Sequence, residues 1–393
     1  MLNENFISSY IDNIAVMNKS TAHEYLMRLN SFKKFVLVSY NRKLTVDEIV
    51  TKIRNGSEDP YALIRNYATF LQRTNNISNS TLKFRIVTLK NFLEFYDVDI
   101  SPRKFKLKVK LPKVVRKTKE ALSKEDIIDI LNACSDIRLK TYLMLLASTG
   151  MRPVEALSIR VKDLDLKLNP SRLFVRGEYT KTRSDRTIFL TQELDNQLSS
   201  WLSYRYRKRR ICYSENGKTV TQYRTPSMKD SDLVFSAHRL SGNPNPVSLY
   251  VEFRTSFAKT LDRMGKGARE DGNERRREIT LHSFRRFVKT AISDLGYQDF
   301  SEYFIGHSGS TYWTKKESEK AEIFRKIEPY LTFLNVHQLE RQGADIQSKI
   351  EELEGLNQSF RDRDKMKDDA IAHLSDQLMA LTARMQDLER ERQ

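Results

Sequence analysis

Apolar positions along the first hundred residues recur at the three-and-four spacing of amphipathic helices. One stripe is Tyr25, Leu26, Leu29, Phe32, Phe35 and Val36, behind Thr21-x-x-Glu24, which reads as a capping box. Another follows Ser80, through Leu82, Ile86, Leu89, Phe92, Leu93 and Tyr96. Glycine occurs once in this stretch, at Gly56, and proline once, at Pro60, so residues 1–102 predict a short-looped helical bundle. From Lys104 to Leu111 the pattern changes to strict alternation: Lys104, Lys106, Lys108 and Lys110 interleave with Phe105, Leu107, Val109 and Leu111. In an extended chain this period of two places the ammonium groups on one side. Residues 103–120 are therefore read as a basic linker, with a lysine-guarded edge strand as the alternative.

Helical periodicity resumes near Ala121, where Leu122-Ser123-Lys124-Glu125-Asp126 has the form of a capped helix start. Two β-rich runs between Arg172 and Leu190 flank a polar turn and predict a hairpin. The polar stretches 205–232 and 264–278 read as loops or insertions, and further helices run to about residue 335. Within the first of these, the basic run Arg205 to Arg210 suits a solvated helix face or a DNA contact equally well. Beyond 336 a heptad emerges. Ile350, Asn357, Asp364, Ile371, Leu378 and Met385 occupy a; Ile346, Leu353, Phe360, Lys367, Leu374, Leu381 and Leu388 occupy d. That predicts a coiled coil over 336–393, pairing between protomers rather than folding back on the body. The expected fold class is thus mainly α with a small β-sheet: a helical domain (1–102), a linker, a mixed α/β domain (121–335) and the coiled-coil tail.

Charge narrows the function. The whole chain carries +17, but the tail holds 9 basic and 13 acidic residues, so residues 1–335 carry +21. A body this basic implies a polyanionic partner, with counterion release supplying much of the affinity. Nine of the basic residues fall between Arg103 and Lys119 with no acid among them, which makes the segment a candidate strap along a phosphate backbone. Only two cysteines, Cys134 and Cys212, occur in 393 residues, which argues against a disulfide framework or a zinc site and for a reducing compartment. The N-terminus lacks a signal-peptide layout and no apolar run reaches membrane-spanning length, so an intracellular, soluble protein is expected.

Four segments of the second domain hold candidate chemistry. In Ser148-Thr149-Gly150-Met151-Arg152-Pro153 an apolar helix should end at Gly150 and another begin at Pro153, leaving Arg152 extended between them. There its guanidinium suits an anion, although a structural arginine is an even alternative. Lys181 sits near the predicted hairpin tip, where a lysine is usually just solvated. In His282-Ser283-Phe284-Arg285 the first and last residues share a helix face. Gly306-His307-Ser308-Gly309-Ser310-Thr311-Tyr312 joins a histidine to a tyrosine through small polar residues.

In that order, Arg, Lys, His-x-x-Arg, Gly-His and Tyr resemble the signature of the tyrosine recombinase (phage integrase) family, over nearly the full length apart from the tail. The wording Thr-Gly-Met-Arg-Pro, Tyr-Thr-Lys-Thr-Arg and His-Ser-Phe-Arg-Arg-Phe, with the closing Glu328-Pro329-Tyr330-Leu331, looks closest to the archaeal branch. The resemblance implies a site-specific recombinase or integrase that breaks and rejoins DNA through a 3′-phosphotyrosyl bond, with no metal or other cofactor. By it, Tyr312 is the nucleophile, and Arg152 and Arg285 clamp the phosphate. Lys181 protonates the leaving 5′-oxygen, His282 moves the tyrosine proton and His307 donates to the phosphate. Glu155 reads as an orienting or structural carboxylate. Tyr312 follows His307 by five residues, a shorter interval than in bacterial members and similar to archaeal ones. Tyr330 is the second candidate, in an apolar run that predicts a core position; Tyr303 lacks a polar approach.

The resemblance further implies double-stranded DNA attachment sites as partner and a tetramer on paired sites. It also implies a place in a mobile genetic element and a cytoplasmic, nucleoid-associated location. Two other readings share these residues or this charge: a type IB topoisomerase, and a non-catalytic DNA-binding protein descended from an integrase.

Overall fold

A computed structural model describes residues 5–40, 43–74, 77–114, 120–215, 218–236, 245–270, 273–334, 358–367 and 374. By its internal contacts the chain divides into two units, Met1–Thr118 and Lys119–Gln393. The fold is mainly helical, with small antiparallel sheets. Of the predicted coiled coil, only 358–367, which is helical, and Leu374 lie within the described residues.

The first unit consists of α1 (Asn5–Met17), α2 (Lys19–Ser39), α3 (Val46–Arg54), α4 (Pro60–Thr74), α5 (Asn79–Phe95) and α6 (Pro102–Lys108). Leu29, Phe32 and Val36 of α2 meet Ile64 and Tyr67 of α4 and Ile86, Leu89 and Phe92 of α5 in one buried core. The Phe32 and Tyr67 rings pack edge to face with centroids 5.3 Å apart. Helix α2 starts earlier than the Thr21-x-x-Glu24 pattern predicts. Asn18 is the cap, its side-chain oxygen accepting from the Ser20 and Thr21 amides at 2.9 and 3.1 Å.

The lysine alternation at 104–110 does not make an extended strap. Ser101 caps and Pro102 opens a helix through Lys108, because an N-cap serine followed by proline is a strong helix start. Lys104 and Lys108 therefore share a helix face and Lys106 lies across from them. Lys108 is partly engaged within the unit, 3.4 Å from Asp59 and 4.9 Å above the Tyr61 ring.

The second unit runs α7 (Lys124–Asn132), α8 (Ile137–Thr149), α9 (Pro153–Leu157), β1 (Leu164–Asp165), β2 (Arg172–Val175), β3 (Arg186–Phe189), α10 (Gln192–Arg205), β4 (Arg209–Glu215) and β5 (Lys218–Arg224). It continues with α11 (Pro246–Arg263), β6 (Arg269–Glu270), β7 (Asn273–Arg277), α12 (Leu281–Asp294), α13 (Gln298–Ile305) and α14 (Glu317–Ile327). Helix α8 is buried on all sides from Thr141 to Thr149 and is the hub. Strands β1, β2 and β3 pair antiparallel in that order, Leu173 opposite Ile188 and Val175 opposite Arg186. The predicted hairpin is thus present, and its core-facing row includes an arginine.

The stretches predicted as loops carry hairpins of their own, β4 with β5 and β6 with β7. The basic run at their start is divided in role. Arg205 is buried and donates to the Leu233 and Val234 carbonyls and the Ser236 hydroxyl, whereas Arg207 lies over the Tyr204 ring on the surface.

Candidate active site

Helix α8 stops at Gly150, whose φ of +62° is open to glycine. A Cβ there would also stand 2.9 Å from Ile305 Cγ2 and 3.1 Å from Val288. Pro153 begins α9, and Arg152 between them is extended, at φ −67° and ψ 141°. The Arg152 amide donates to Glu155 Oε2 at 3.1 Å. Glu155 is in turn gripped by Arg186 of β3 through two parallel bonds, 3.0 and 2.9 Å long. Both side chains are essentially inaccessible, so this is a fully desolvated fork-to-fork pair. Glu155 thus joins the Arg152 backbone to the Arg186 side chain. Arg152 Nη1 stays 3.9 Å from Glu155 Oε1, and this buried atom has no hydrogen-bond partner among the described residues.

Arg285, one turn into α12, reaches back across the hub. Its Nη1 donates to the Gly150 carbonyl at 2.8 Å and the Ile305 carbonyl at 2.5 Å, while the buried Nη2 has no hydrogen-bond partner among the described residues. Burial first, then the neighbouring Arg152 charge, pushes this guanidinium down to about 10, with Glu155 opposing. It remains charged at neutral pH. His282, three residues earlier, presents an exposed edge, yet the surrounding protein desolvates it. That loss of hydration, together with Arg285, Arg286 and Arg152, lowers its pKa from the ordinary histidine value.

Helix α13 ends at Gly306, φ +80°, where a Cβ would come within 2.5 Å of Arg186 Nη1. The turn returns His307 to the same helix: its amide donates to the Glu302 carbonyl at 2.8 Å and its Nδ1 bonds the Glu302 carboxylate. The second Glu302 oxygen holds Lys289 Nζ at 2.6 Å.

Tyr312 lies on a one-turn 3-10 helix, Thr311–Trp313. Ser310 Oγ accepts the Tyr312 amide at 3.1 Å and donates to the Asp299 carbonyl at 2.8 Å, and the Asp299 carboxylate takes the Thr311 amide and hydroxyl. The Tyr312 ring packs edge-on to Phe300, and Lys315 Nζ sits 4.3 Å from its centroid. Its hydroxyl has no hydrogen-bond partner among the described residues. Tyr303, by contrast, is buried, donates to the Thr187 carbonyl at 3.1 Å and accepts from Lys320 at 3.3 Å. Burial pushes its pKa up to about 12. Tyr330 is 48% exposed rather than in the core; the buried residue of its short helical turn is Leu331.

Arg152, His282 and Arg285 thus converge, and Arg285 is bonded to the Gly150 carbonyl two residues before Arg152 and to the Ile305 carbonyl two residues before His307. Lys181 is exposed in the turn before β3, and no described hydrogen bond or ring contact ties it or Tyr312 to that cluster. Two residues were not singled out from sequence. Arg186 has a signal, being a charged residue in the inward register of a strand. Glu302 has only its five-residue interval before His307. The cluster combines the guanidinium groups of Arg152 and Arg285 with one carboxylate already committed to a third arginine. Guanidinium groups gathered in this way are suited chemically to an anion. Among the described residues no group of His, Cys, Asp or Glu is placed to hold a metal ion.

The sequence profile of the phage integrase family matches residues 120–312. The chain is 35% identical over 113 residues to the tyrosine recombinase XerA of Saccharolobus solfataricus, covering 29% of this chain and 35% of that protein. It is 26% identical over 149 residues to transposase A of transposon Tn554 from Staphylococcus aureus, covering 37% and 41%. It thus spans well under half the length of these two relatives. With the tyrosine recombinase XerC of Rickettsia canadensis the identity is 24% over 291 residues, covering 69% of this chain and 92% of that one. The fold is similar to that of a lambda integrase dimer bound to a COC′ core site, at a TM-score of 0.52 and 14% identity, covering 81% of this chain and 99% of the other.

Proposed function

The chain belongs, through residues 120–312, to the phage integrase family of tyrosine recombinases, and on that premise we propose that it cuts and rejoins DNA at specific sites. The observation that carries this reading is the gathering of the Arg152 and Arg285 guanidinium groups beside His282, close enough for each charge to act on the histidine. A scissile phosphate offers non-bridging oxygens to both, and its charge grows in the pentacoordinate transition state, where fixed cations act most strongly. Tyr312 Oη attacks phosphorus, forming the 3′-phosphotyrosyl bond as the bond to the 5′-oxygen breaks. The tyrosine proton passes to His282, whose lowered pKa keeps it unprotonated and able to accept. Lys181 gives a proton to the departing 5′-oxygen, and His307 donates to the phosphate. The phosphotyrosyl bond conserves the energy of the broken ester, so religation needs no further input.

Residues 1–102 grip the DNA as a separate domain in this reading, and Lys104, Lys106, Lys108 and Lys110 add phosphate contacts. The 336–393 heptads hold protomers together as a tetramer on paired attachment sites. The enzyme works in the cytoplasm on nucleoid DNA; no helix among the described residues is long and apolar enough to cross a membrane.

A nicked suicide substrate tests the reaction, since strand loss after cleavage traps the covalent adduct. Tyr312→Phe should bind DNA and form none. An adduct that persists in Tyr312→Phe and vanishes in Tyr330→Phe would move the nucleophile to Tyr330. No adduct with the unaltered protein would refute the recombinase reading.

A further inference from the structure

We propose that Glu302 is a positioning residue for cleavage, holding the His307 imidazole so that Nε2 is the ring atom offered to the phosphate. This rests on the reading of His307 as a phosphate ligand. The Gly306 turn brings both the amide and the Nδ1 of His307 back to Glu302, one to its carbonyl and one to its carboxylate. Burial alone would raise the Glu302 pKa. The hydrogen bonds from Lys289 and His307, and the charges behind them, outweigh it and leave the group below the usual carboxylate range.

An ionised carboxylate only accepts, so the proton on this bond belongs to Nδ1. Nε2 is then the one ring nitrogen left to meet a ligand, and the ring plane is set by a bond at its far side. The backbone is fixed from the other direction, as Trp313 Nε1 donates to the His307 carbonyl at 3.1 Å. Lys289 adds the link that makes this more than local tidiness. It lies four residues after Arg285 on α12, on the same helix face. Helix α12 is thereby fastened to α13 twice: Arg285 to the Ile305 carbonyl at 2.5 Å, and Lys289 to Glu302 at 2.6 Å. The histidine and the arginine that are to share one phosphate are registered against each other through Glu302.

A carboxylate that merely joined two helices would show the same contacts, so the test separates positioning from stability. Single-turnover cleavage of the suicide substrate is measured with the full chain at saturating DNA, and the DNA dissociation constant is measured separately. Glu302→Ala should slow cleavage about 10- to 100-fold, as loss of an outer partner of a functional histidine does, and leave the dissociation constant unchanged. In a His307→Ala background the same substitution should cost nothing further. Glu302→Gln keeps the volume and one acceptor oxygen, and serves if the alanine variant does not fold; its smaller loss should likewise vanish in the His307→Ala background.

Additive losses from Glu302→Ala and His307→Ala would make Glu302 structural and overturn the proposal. So would a drop in affinity at unchanged cleavage rate. If His307→Ala cleaves normally while Tyr312→Phe does not, there is no histidine to position, and the proposal falls with the recombinase reading intact. If the unaltered protein forms no adduct, that reading has failed, and this one with it.

Discussion

Replacing Glu155 with Gln tests whether one buried carboxylate organises the cation cluster. The substitution keeps the volume but puts an amide NH2 where one carboxylate oxygen now accepts from Arg186, so two donors face each other. It also removes the counter-charge of a guanidinium that is inaccessible to water, with Arg152 and Arg285 close by. Breaking a buried pair by altering one partner costs about 3–5 kcal/mol. With a urea dependence of about 3 kcal/mol per molar, the unfolding midpoint should fall by roughly 1 M or more. Arg186→Met should be costly for the complementary reason, since it strands the carboxylate. The double variant should lose less than the sum of the two, because no unpaired charge is left behind. Cleavage in Glu155→Gln should fall further than its folded fraction, because the Arg152 amide loses its anchor at 3.1 Å. Urea unfolding followed by far-ultraviolet circular dichroism measures the first effects. A Glu155→Gln midpoint within about 0.2 M of the parent, or strictly additive losses, would refute the reasoning.

Gly306→Ala should destabilise by about 1–3 kcal/mol and reduce cleavage, because φ is +80° and the new methyl meets Arg186 Nη1; Gly296→Ala, equally left-handed but with open space around its Cβ, gives the backbone cost alone in the same melting assay. The lowered His282 pKa means the folded protein takes up this proton less readily than the unfolded chain. Its contribution is intact above the ordinary histidine value of about 6.5 and is lost as pH falls through the lower folded value. His282→Gln should therefore flatten the acid side of a stability–pH profile below about 6.5, and an unchanged profile would remove His282 as the cause. Changing Lys104, Lys106, Lys108 and Lys110 to Gln should flatten the slope of log affinity against log salt. Lys108→Gln alone should contribute least, because that ammonium already faces Asp59; equal single effects would count against the assigned contacts.

Where a local signal has one physical solution, the sequence is easily read. The Gly150-x-x-Pro153 pair can only end one helix and begin another, and it places Arg152 between them in the conformation found. His282 and Arg285 are similarly fixed by a helix that starts at Leu281. The Lys104–Leu111 alternation misleads because period two is compatible with a strand until the Ser101-Pro102 start is weighed against it. The second and third hairpins have turn signals, Asn216-Gly217 and Asp271-Gly272, between strands too polar to advertise themselves. Arg186 and Glu302 are harder. Their partners lie 31 residues away for Arg186 and across a left-handed turn for Glu302, and no local pattern encodes such contacts. Tyr330 shows the converse: an apolar neighbourhood in sequence does not bury each of its members.

The span of the Arg285 bonds also bears on how the protein is made. One guanidinium ties together carbonyls 135 residues before it and 20 residues after it. On the ribosome, the helix ending at Gly150 emerges long before Arg285 exists, and the cluster cannot close until Ile305 and His307 have followed. On the recombinase reading, a chain cut short ahead of residue 305 keeps its basic early segments but has no assembled phosphate clamp. A truncated product should therefore form no covalent adduct with the suicide substrate, whatever DNA it still binds.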